Sequence, residues 1–396
     1  MIDRTHGRSR TLAWRRAAHW LMARMAGGAV AISDELGSAV LGDTTGDVYD
    51  VRIERLETYE VLLRQGSAGF GEAWADGWWS TDDLVGLLRL GQRNTSRWHP
   101  FTNRLHNVAT PLLDPLARRR RRPDPGRDRA NIRAHYDLGN EFFVQVLDET
   151  MMYSAAVFEP ASITLADASR EKVRRITELA GVTADDHVLE IGTGWGGLAE
   201  HVGAQVGARV TTTTISEKQY EFALQRIDAA GLSDRVTVLD SDYRDMTGAF
   251  DKIVSIEMIE AVDWREYATF FSTAHRLLRP GGTLAMQAIV VSDADFHRAK
   301  RTSDFINEKI FPGGCLPSVA ALDAAAEDAG FTRTAFADIG LHYARTLHEW
   351  RANLHAADIR DERLKRLWDF YFAYCEAGFL QRYVSDVQLA YHRNGA

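Results

Sequence analysis

Apolar and polar positions follow a repeating pattern from about residue 165 to the end of the chain. Short apolar runs alternate with longer stretches of helical periodicity, which predict strands and helices respectively. The predicted strands are 187–192, 208–214, 235–240, 252–257, 283–291, near 331–338 and near 386–392, and the predicted helices are 165–181, 197–206, 217–230, 264–278 and 345–378. Strands that alternate with helices pair in parallel, so the pattern predicts an α/β, Rossmann-like, doubly wound fold with a mostly parallel sheet.

The N-terminal part follows a different pattern, with many Trp and Gly residues and few β-branched runs. The stretches with helical periodicity are 11–27, 50–65 and 82–93. They predict a small, mainly helical N-terminal domain over 1–117. Arginines with Pro and Gly then interrupt the periodicity, which predicts a basic linker over 118–129. The second predicted domain is 130–396, with a helical insertion at 295–330.

A glycine-rich turn follows the first predicted strand of the second domain, with the spacing Gly192-x-Gly194-x-x-Gly197. Such a turn lets backbone N–H groups approach a ligand, and the spacing fits both dinucleotide and S-adenosylmethionine (SAM) sites. A nicotinamide site has an acid about 20 residues further on, where this chain has Thr, Ile and Ser over 211–216. The acid instead precedes the glycines, at Glu190, as is typical of SAM methyltransferases. The motif therefore favours SAM over NAD.

Composition narrows the function classes. The 396 residues are 45% apolar and 26% charged, as in globular proteins, and no apolar run reaches the roughly 18 residues that span a bilayer. A net charge of -8 argues against nucleic acid as a partner. Two cysteines, Cys315 and Cys375, make no disulfide framework, which favours a cytoplasmic location. No Cys/His cluster has zinc spacing, so no metal is expected.

Positive charge is nevertheless concentrated in two segments. Residues 1–25 carry six arginines among Leu12, Trp14 and Trp20, and arginines recur through 118–133. A basic amphipathic helix beside a basic run is what an anionic membrane surface attracts. The pattern predicts peripheral binding at the inner face of the membrane, and the alternative is a frayed N-terminus with a solvated linker.

Six sequence blocks in the second domain, such as Glu-Ile-Gly-Thr-Gly-Trp-Gly, carry a resemblance to one family. The blocks are 134–143, 147–158, 190–196, 214–219, 255–260 and 340–347. Over about 130–393 the chain resembles the cyclopropane fatty acid synthases and their SAM-dependent fatty acid methyltransferase relatives. The resemblance implies methyl transfer from SAM to a double-bond carbon of an unsaturated acyl chain, carried by a phospholipid or a carrier protein.

The resemblance also implies which residues bind SAM. They are Tyr153, Ser154, Gly192, Gly194, Thr214, Gln219 and Tyr243. Side-chain chemistry agrees, because Thr214 and Gln219 can hydrogen-bond the ribose in place of the missing acid, and Tyr243 can stack on adenine. The neighbouring Asp242 can accept a hydrogen bond from the adenine amino group.

Methyl transfer to a double bond leaves a carbocation, so the site needs a dry cavity and a base that removes a proton. In cyclopropane synthases the resemblance implies a bound bicarbonate as base, held by a Glu, a Tyr, a His and the backbone at a Cys. Glu260 and Tyr343 match the first two, whereas Gln287 stands at the His position and Ala155 at the Cys position. The missing His weakens the expectation of bound bicarbonate.

Glu257 stands where cyclopropane synthases commonly have Gly. One hypothesis is that its carboxylate replaces bicarbonate as the base, and the alternative is a capping or solvent-facing Glu at a strand end. Glu149 is a weaker candidate. The candidate catalytic residues are therefore Glu260, Tyr343, Glu257 and Gln287.

Three segments resemble the branch that makes tuberculostearic-type lipids: 154–156, 257–262 and 310–314. The predicted product is accordingly a methylene or methyl-branched acyl chain. A methyl-branched product would need a reductase partner, because nothing in the chain looks like a second cofactor domain. The two alternatives are a cyclopropane-fatty-acyl-phospholipid synthase and a non-catalytic lipid-binding relative.

Overall fold

A computed structural model describes residues 2–95, 139–300, 304–311 and 314–395, with side chains from residue 9 onward. The chain divides into two compact units. The first combines Met1–Arg122, Ser303–Ile310 and Leu354–Gln381, and the second combines Pro123–Thr302, Phe311–Asn353 and Arg382–Ala396. The predicted linker, 118–129, lies outside the described residues.

The first unit contains helices and a four-stranded sheet. Its helices are Ile2–Met22, Glu57–Ala75, 84–95, the π-helix Ile306–Ile310 and Glu362–Leu380. Its strands are β1 (Ala29–Asp34), β2 (Gly37–Gly42), β3 (Val48–Ile53) and β4 (Trp79–Ser80). They form the order β2-β1-β3-β4, in which β1 and β3 are parallel.

The sheet of the first unit was not predicted. The segment 50–65, predicted as a helix, begins in β3 and becomes helical only at Glu57. Buried side chains alternate in β3, at Val51 and Ile53, which is the two-residue period of a half-buried strand. The strand is too short for this period to stand out in a window that also contains a helix.

Helix Glu362–Leu380, predicted as part of the second domain, packs within the first unit. The indole of Trp79 stacks on the ring of Phe70 with 3.9 Å between centroids, and the ring of Phe370 meets Trp79 edge-on at 6.4 Å. These aromatic contacts complete the core of the first unit with residues distant in sequence. The predicted first domain, 1–117, did not include the residues of this helix.

The second unit is built on a seven-stranded sheet in the order β10-β11-β9-β8-β5-β6-β7. Its strands are β5 (His187–Ile191), β6 (Arg209–Thr214), β7 (Val236–Asp240), β8 (Phe250–Ile256), β9 (Leu278–Val291), β10 (Phe331–Asp338) and β11 (Val384–Arg393). Strands β5 to β9 pair in parallel, and β10 and β11 extend one edge in antiparallel pairing. The predicted Rossmann-like fold with a mostly parallel sheet is confirmed.

Helices cover both faces of this sheet. They are Asn140–Val146, Leu165–Ala180, Gly197–His201 with the π-helix Val202–Val206, Glu217–Ala229, Tyr267–Leu277, Asp293–Ala299, Val319–Asp328 and Gly340–Ala356. One apolar core includes Phe270 and Leu284, and the other includes Val173 and Val210. The parallel strands end at one edge, so the loops after β5, β6, β7 and β8 lie together there.

Candidate active site

The glycine turn after β5 has the backbone geometry that requires glycine. Gly192 and Gly194 have φ angles of 100° and 51°, in the left-handed region that disfavours a side chain. The N–H groups of Gly192 and Thr193 donate to the carbonyl oxygen of Thr213 at 3.0 and 3.1 Å, which ties the turn to β6. A Cβ added at Gly194 would meet no atom within 4 Å. The turn therefore borders open space that a ligand can fill.

Glu190 lies at the end of β5, immediately before this turn. Its side chain is 4% exposed, and no described residue donates a hydrogen bond to its Oε2. Burial raises the pKa of this carboxyl to about 8, against the opposing effects of Thr212 and Lys172. A buried acceptor without a donor, two residues before the glycine turn, suits a ligand that carries positive charge. SAM, with its ammonium and sulfonium groups, fits this end of the sheet.

Thr214 and Gln219 meet at the end of β6. The Oγ1 of Thr214 donates to the Oε1 of Gln219 at 3.0 Å and accepts from the N–H of Ser216 at 3.1 Å. Ser216 in turn caps the helix that carries Gln219. The structure therefore brings together the two residues predicted to bind the ribose, and their role in binding stays a prediction.

Asp242 and Tyr243 follow β7. The guanidinium of Arg244 donates to both carboxylate oxygens of Asp242, at 2.9 and 2.7 Å, and the ring of Tyr243 packs on Phe270 at 5.7 Å. Arg244 thus competes with adenine for the Asp242 oxygens. Binding of adenine by Asp242 and Tyr243 stays a prediction.

Tyr153 and Ser154 lie on the loop before helix Leu165–Ala180. The Oγ of Ser154 accepts a hydrogen bond from the Nζ of the buried Lys172 at 2.6 Å. The ring of Tyr153 lies 5.2 Å from that of Trp350, and Tyr343 meets Trp350 edge-on at 6.1 Å. These rings offer π faces, which stabilise a nearby cation.

Three hydrogen-bond donors converge on the carboxylate of Glu257. Its Oε1 accepts from the backbone N–H of Ala155 and from the Nε2 of Gln287, each at 2.7 Å. Its Oε2 accepts from the hydroxyl of Tyr343 at 2.8 Å. We call these three donors the Glu257 cage. A solvent-facing or capping role for Glu257 does not agree with these contacts.

The backbone of Glu257 is itself unusual, with a φ angle of 47° in a residue that is not glycine. This left-handed conformation costs about 1–2 kcal/mol. The three cage donors hold the carboxylate in place in this backbone conformation. Burial raises the pKa of Glu257, while the Ala155 N–H, Lys172 and the other donors oppose that shift.

Glu260 lies beside the Glu257 cage but has different contacts. Its Oε1 accepts from the backbone N–H of Ile289, and its buried Oε2 has no hydrogen-bond partner among the described residues. Burial, with repulsion from Glu257, raises the pKa of Glu260 to about 8. Glu149, the weaker candidate, is instead exposed and pairs with Arg170 at the surface.

Two buried charged residues of the site were not predicted. Asp386 on β11 is 0% exposed, and its Oδ2 accepts from the Nε2 of Gln287 at 2.9 Å. Burial and the nearby Glu257 and Glu260 raise the pKa of Asp386. Lys172 is 1% exposed, and burial lowers the pKa of its ammonium. A sequence signal was available for Lys172, because this lysine stands at a buried position of an amphipathic helix.

Neither a metal site nor a membrane span is found in the part of the chain that the structure describes. No group of His, Cys, Asp and Glu there is arranged to hold a metal ion. No helix there combines the length and apolar composition that crossing a bilayer requires.

Comparison with known proteins agrees with this geometry. The chain is 39% identical over 350 residues to the tuberculostearic acid methyltransferase UfaA1 of Mycobacterium tuberculosis, covering 84% of this chain and 80% of the relative. It is 33% identical over 385 residues to the cyclopropane-fatty-acyl-phospholipid synthase of Escherichia coli K12, covering 95% and 92%. The predicted class of enzyme, a SAM-dependent C-methyltransferase, is confirmed.

A solved structure supports the same assignment. The mycolic acid cyclopropane synthase CmaA1, complexed with S-adenosylhomocysteine (SAH) and CTAB, superposes with a TM-score of 0.63 at 30% identity. The match covers 67% of this chain and 98% of that one. The sequence profile of the family described as mycolic acid cyclopropane synthetase matches residues 124–389. With the SAM-type glycine turn and the carboxylate site in place, the chain belongs to the mycolic acid cyclopropane synthetase family.

Proposed function

We propose that this protein transfers the SAM methyl group to a double-bond carbon of an unsaturated acyl chain in a phospholipid, and that the Glu257 carboxylate is the base. The convergence of three donors on Glu257 is the observation that carries the proposal. The relatives named for fatty acid methylation and for fatty-acyl-phospholipid cyclopropanation support the substrate class.

The placement of Glu257 explains how it can replace bicarbonate. The resemblance implies that bicarbonate is held at positions that correspond to Ala155, Gln287, Tyr343 and Glu260. Three of these four positions donate hydrogen bonds to Glu257 in this chain. A carboxylate has the planar O–C–O group of bicarbonate, so it can take the same donors. A side chain that fills this space leaves none for a bound anion.

The chemistry balances with Glu257 as the proton acceptor. Bound SAM supplies an electrophilic methyl group and leaves as neutral SAH. The alkene π electrons form the new C–C bond, and the positive charge moves to the other alkene carbon. A hydride shift from the methylated carbon brings the charge to that carbon. Glu257 then takes a proton from the new methyl group, and the C–H electrons form an exocyclic C=C bond.

Glu260 has the complementary role. Its pKa of about 8 keeps this carboxyl mostly protonated at neutral pH, whereas the cage donors and Lys172 favour the ionised form of Glu257. Two adjacent carboxyls with different protonation states are the arrangement that acid–base chemistry needs. A neutral Glu260 lowers the charge repulsion and leaves Glu257 as the ionised base.

The proposed product is a methylene-branched acyl chain, which a separate reductase would convert to a methyl branch. The second candidate function is that of a cyclopropane synthase. If Glu257 takes a proton from the new methyl group before the hydride shifts, the C–H electrons close a ring instead. The 33% identity to the Escherichia coli synthase favours this second candidate. The Glu257 carboxylate, which is fixed to the chain where a cyclopropane synthase would hold bicarbonate, favours the first candidate, the methylene-branched product.

The proposed SAM site has the residues expected from the sequence: Tyr153, Ser154, Gly192, Gly194, Thr214, Gln219, Asp242 and Tyr243. The open space at Gly194 and the donor-free Oε2 of Glu190 support it. The remaining contacts to the cofactor are proposals that a SAH complex would test.

We also propose peripheral binding to an anionic membrane through helix Ile2–Met22. Leu12, Arg16 and Trp20 are spaced four residues apart and are exposed, so they form one row on the helix. Arg24 lies just beyond the helix and stacks on the indole of Trp20 at 3.6 Å. Cations beside an exposed indole suit the headgroup region of a bilayer.

Other arginines of this helix are held by the protein itself. Arg15 pairs with Asp34 at 2.6 Å, and Arg10 pairs with Glu60. The row from Leu12 to Arg24 is therefore the part of the helix that we expect to meet lipid. The second basic segment, 118–133, lies outside the described residues.

A turnover assay tests the proposed activity. Purified protein is incubated with SAM and vesicles of a monounsaturated phospholipid, and the lipids are analysed by mass spectrometry. We expect acyl chains heavier by one CH2 unit, and at least a hundredfold less product from Glu257→Gln with SAH binding retained. Glu149→Gln is the matched control, because Glu149 is exposed at the surface. Full activity of Glu257→Gln would remove Glu257 as the base, and no lipid product from the wild type would remove the activity itself.

A further inference from the structure

A buried network of polar side chains continues beyond the Glu257 cage. The Nε2 of Gln287 donates to the Glu257 Oε1 at 2.7 Å and to the Asp386 Oδ2 at 2.9 Å, so the two hydrogens of one amide hold two carboxyls. The Nε2 of Gln388 donates to the Gln287 Oε1 at 3.0 Å. That bond fixes the orientation of the Gln287 amide, with its nitrogen toward the carboxyls.

The Lys172 ammonium lies near several carboxyls of this network. Lys172 interacts electrostatically with Glu257, Asp386, Asp148 and Glu190. Glu260 adds a further carboxyl beside Glu257 and Asp386. Uncompensated buried charge is costly, so one buried ammonium balances one carboxylate, and the remaining buried carboxyls keep their protons.

The hydrogen bonds indicate which carboxyl is ionised. Glu257 accepts from three donors, whereas Asp386 accepts from Gln287, and its buried Oδ1 has no partner among the described residues. Hydrogen bonds to a carboxylate favour the charged form, and a carboxyl oxygen without a donor can carry a proton without losing a bond. The charge therefore belongs on Glu257 and the proton on Asp386.

We propose that Lys172 and Asp386 are positioning residues that set the charge state of the base, with the Lys172 ammonium balancing an ionised Glu257 and Asp386 holding a proton next to the Glu257 carboxylate. The inference rests on the proposed role of Glu257. Neither residue touches the acyl chain in this account. Lys172 also donates to Ser154 at 2.6 Å, so the same ammonium links the predicted SAM-binding loop to the base.

The pH dependence of turnover tests this inference, because a merely structural role would not shift it. Lys172→Met removes the compensating charge, so we expect the pH at which the base ionises to rise by about one unit, with ~tenfold lower turnover at neutral pH and recovery at higher pH. Lys172→Arg keeps the charge and should restore the wild-type profile. Asp386→Ala removes the protonated carboxyl beside Glu257, so we expect the profile to move to higher pH, whereas Asp386→Asn keeps a neutral hydrogen-bond donor there and should keep the wild-type profile. Glu149→Gln is the control, with an unchanged profile. Wild-type profiles in both Lys172→Met and Asp386→Ala would overturn the inference.

Two further measurements separate the possible failures. Full turnover by Glu257→Gln would refute Glu257 as the base. Loss of turnover in Glu257→Gln, together with wild-type pH profiles in Lys172→Met and Asp386→Ala, would refute only the roles proposed for Lys172 and Asp386. If the Lys172 and Asp386 variants do not fold, infrared spectra of protein with carbon-13-labelled aspartate can show the protonation of Asp386 without turnover. The Asp304→Asn variant is used for this measurement, because Asp304 is another buried aspartate of raised pKa. A protonated aspartate band at neutral pH is expected, and its absence would overturn the inference.

Discussion

Replacing Glu260 by Gln should stabilise the protein at alkaline pH. The Oε1 of Glu260 accepts from the Ile289 N–H, and a Gln side chain can keep this bond through its amide oxygen. The buried Oε2 has no partner in the described part of the chain, so the carboxyl gains little from being charged there. The variant therefore removes an ionisable group that the folded state keeps neutral.

The magnitude follows from the shift in pKa. The folded value is about 8, against an ordinary 4.5, so the folded state resists ionisation. At about 1.4 kcal/mol for each pKa unit, this difference corresponds to about 5 kcal/mol above pH 8. Part of the side chain is accessible, which reduces the effect, and we expect about 1–3 kcal/mol in the free energy of unfolding.

The sign of the pH dependence is fixed by the same values. Below about pH 4.5 the carboxyl is protonated in both states, so wild type and Glu260→Gln should differ little. Between pH 4.5 and 8 only the unfolded state ionises, so the wild type loses stability relative to the variant as the pH rises. Urea unfolding at about pH 5 and pH 9 measures the two differences, with Glu149→Gln as control. A difference that does not change with pH, or a variant less stable at pH 9, would refute the reasoning.

Two further predictions concern the cofactor and the membrane. Gly194→Val should abolish SAH binding in calorimetry with the fold intact. The valine side chain would enter the open space at the turn, and the backbone φ of 51° disfavours any residue except glycine. Undiminished SAH affinity would refute the placement of the SAM site. Binding to anionic vesicles should weaken as salt shortens the Debye length. Trp20→Ala should weaken it more than Leu224→Ala, the control, because Leu224 is an exposed apolar residue of the second unit. Binding that is independent of salt and of Trp20 would contradict the docking proposal.

The parts of the fold and site that were predictable are those with local signals. Strands β5 to β9 and the glycine turn depend on short apolar runs and on glycine spacing, which are visible in the sequence. The confirmed fold class followed from them. The resemblance to a known family pointed to Gln287 and Tyr343, and a departure from the family's usual Gly pointed to Glu257. In the structure the Glu257 carboxylate accepts hydrogen bonds from both of the other side chains.

The features that were missed depend on contacts between distant segments. The hydrogen bond from Gln287 to Asp386 joins residues 99 positions apart, and no local pattern predicts such a pairing. Helix Glu362–Leu380 joins the first unit through aromatic contacts with residues near Trp79. Lys172 was the exception, since a lysine at a buried position of an amphipathic helix is a signal in itself.

The central claim is that a protein carboxylate, Glu257, accepts the proton after methyl transfer to the acyl double bond. The most direct measurement is turnover in bicarbonate-depleted buffer, with SAM that carries a deuterated methyl group and product analysis by NMR. We expect full wild-type activity without bicarbonate, an exocyclic methylene that retains two deuterium atoms, and at least a hundredfold less product from Glu257→Gln. Wild-type activity that stops without bicarbonate, together with full activity of Glu257→Gln in its presence, would show that Glu257 is not the base.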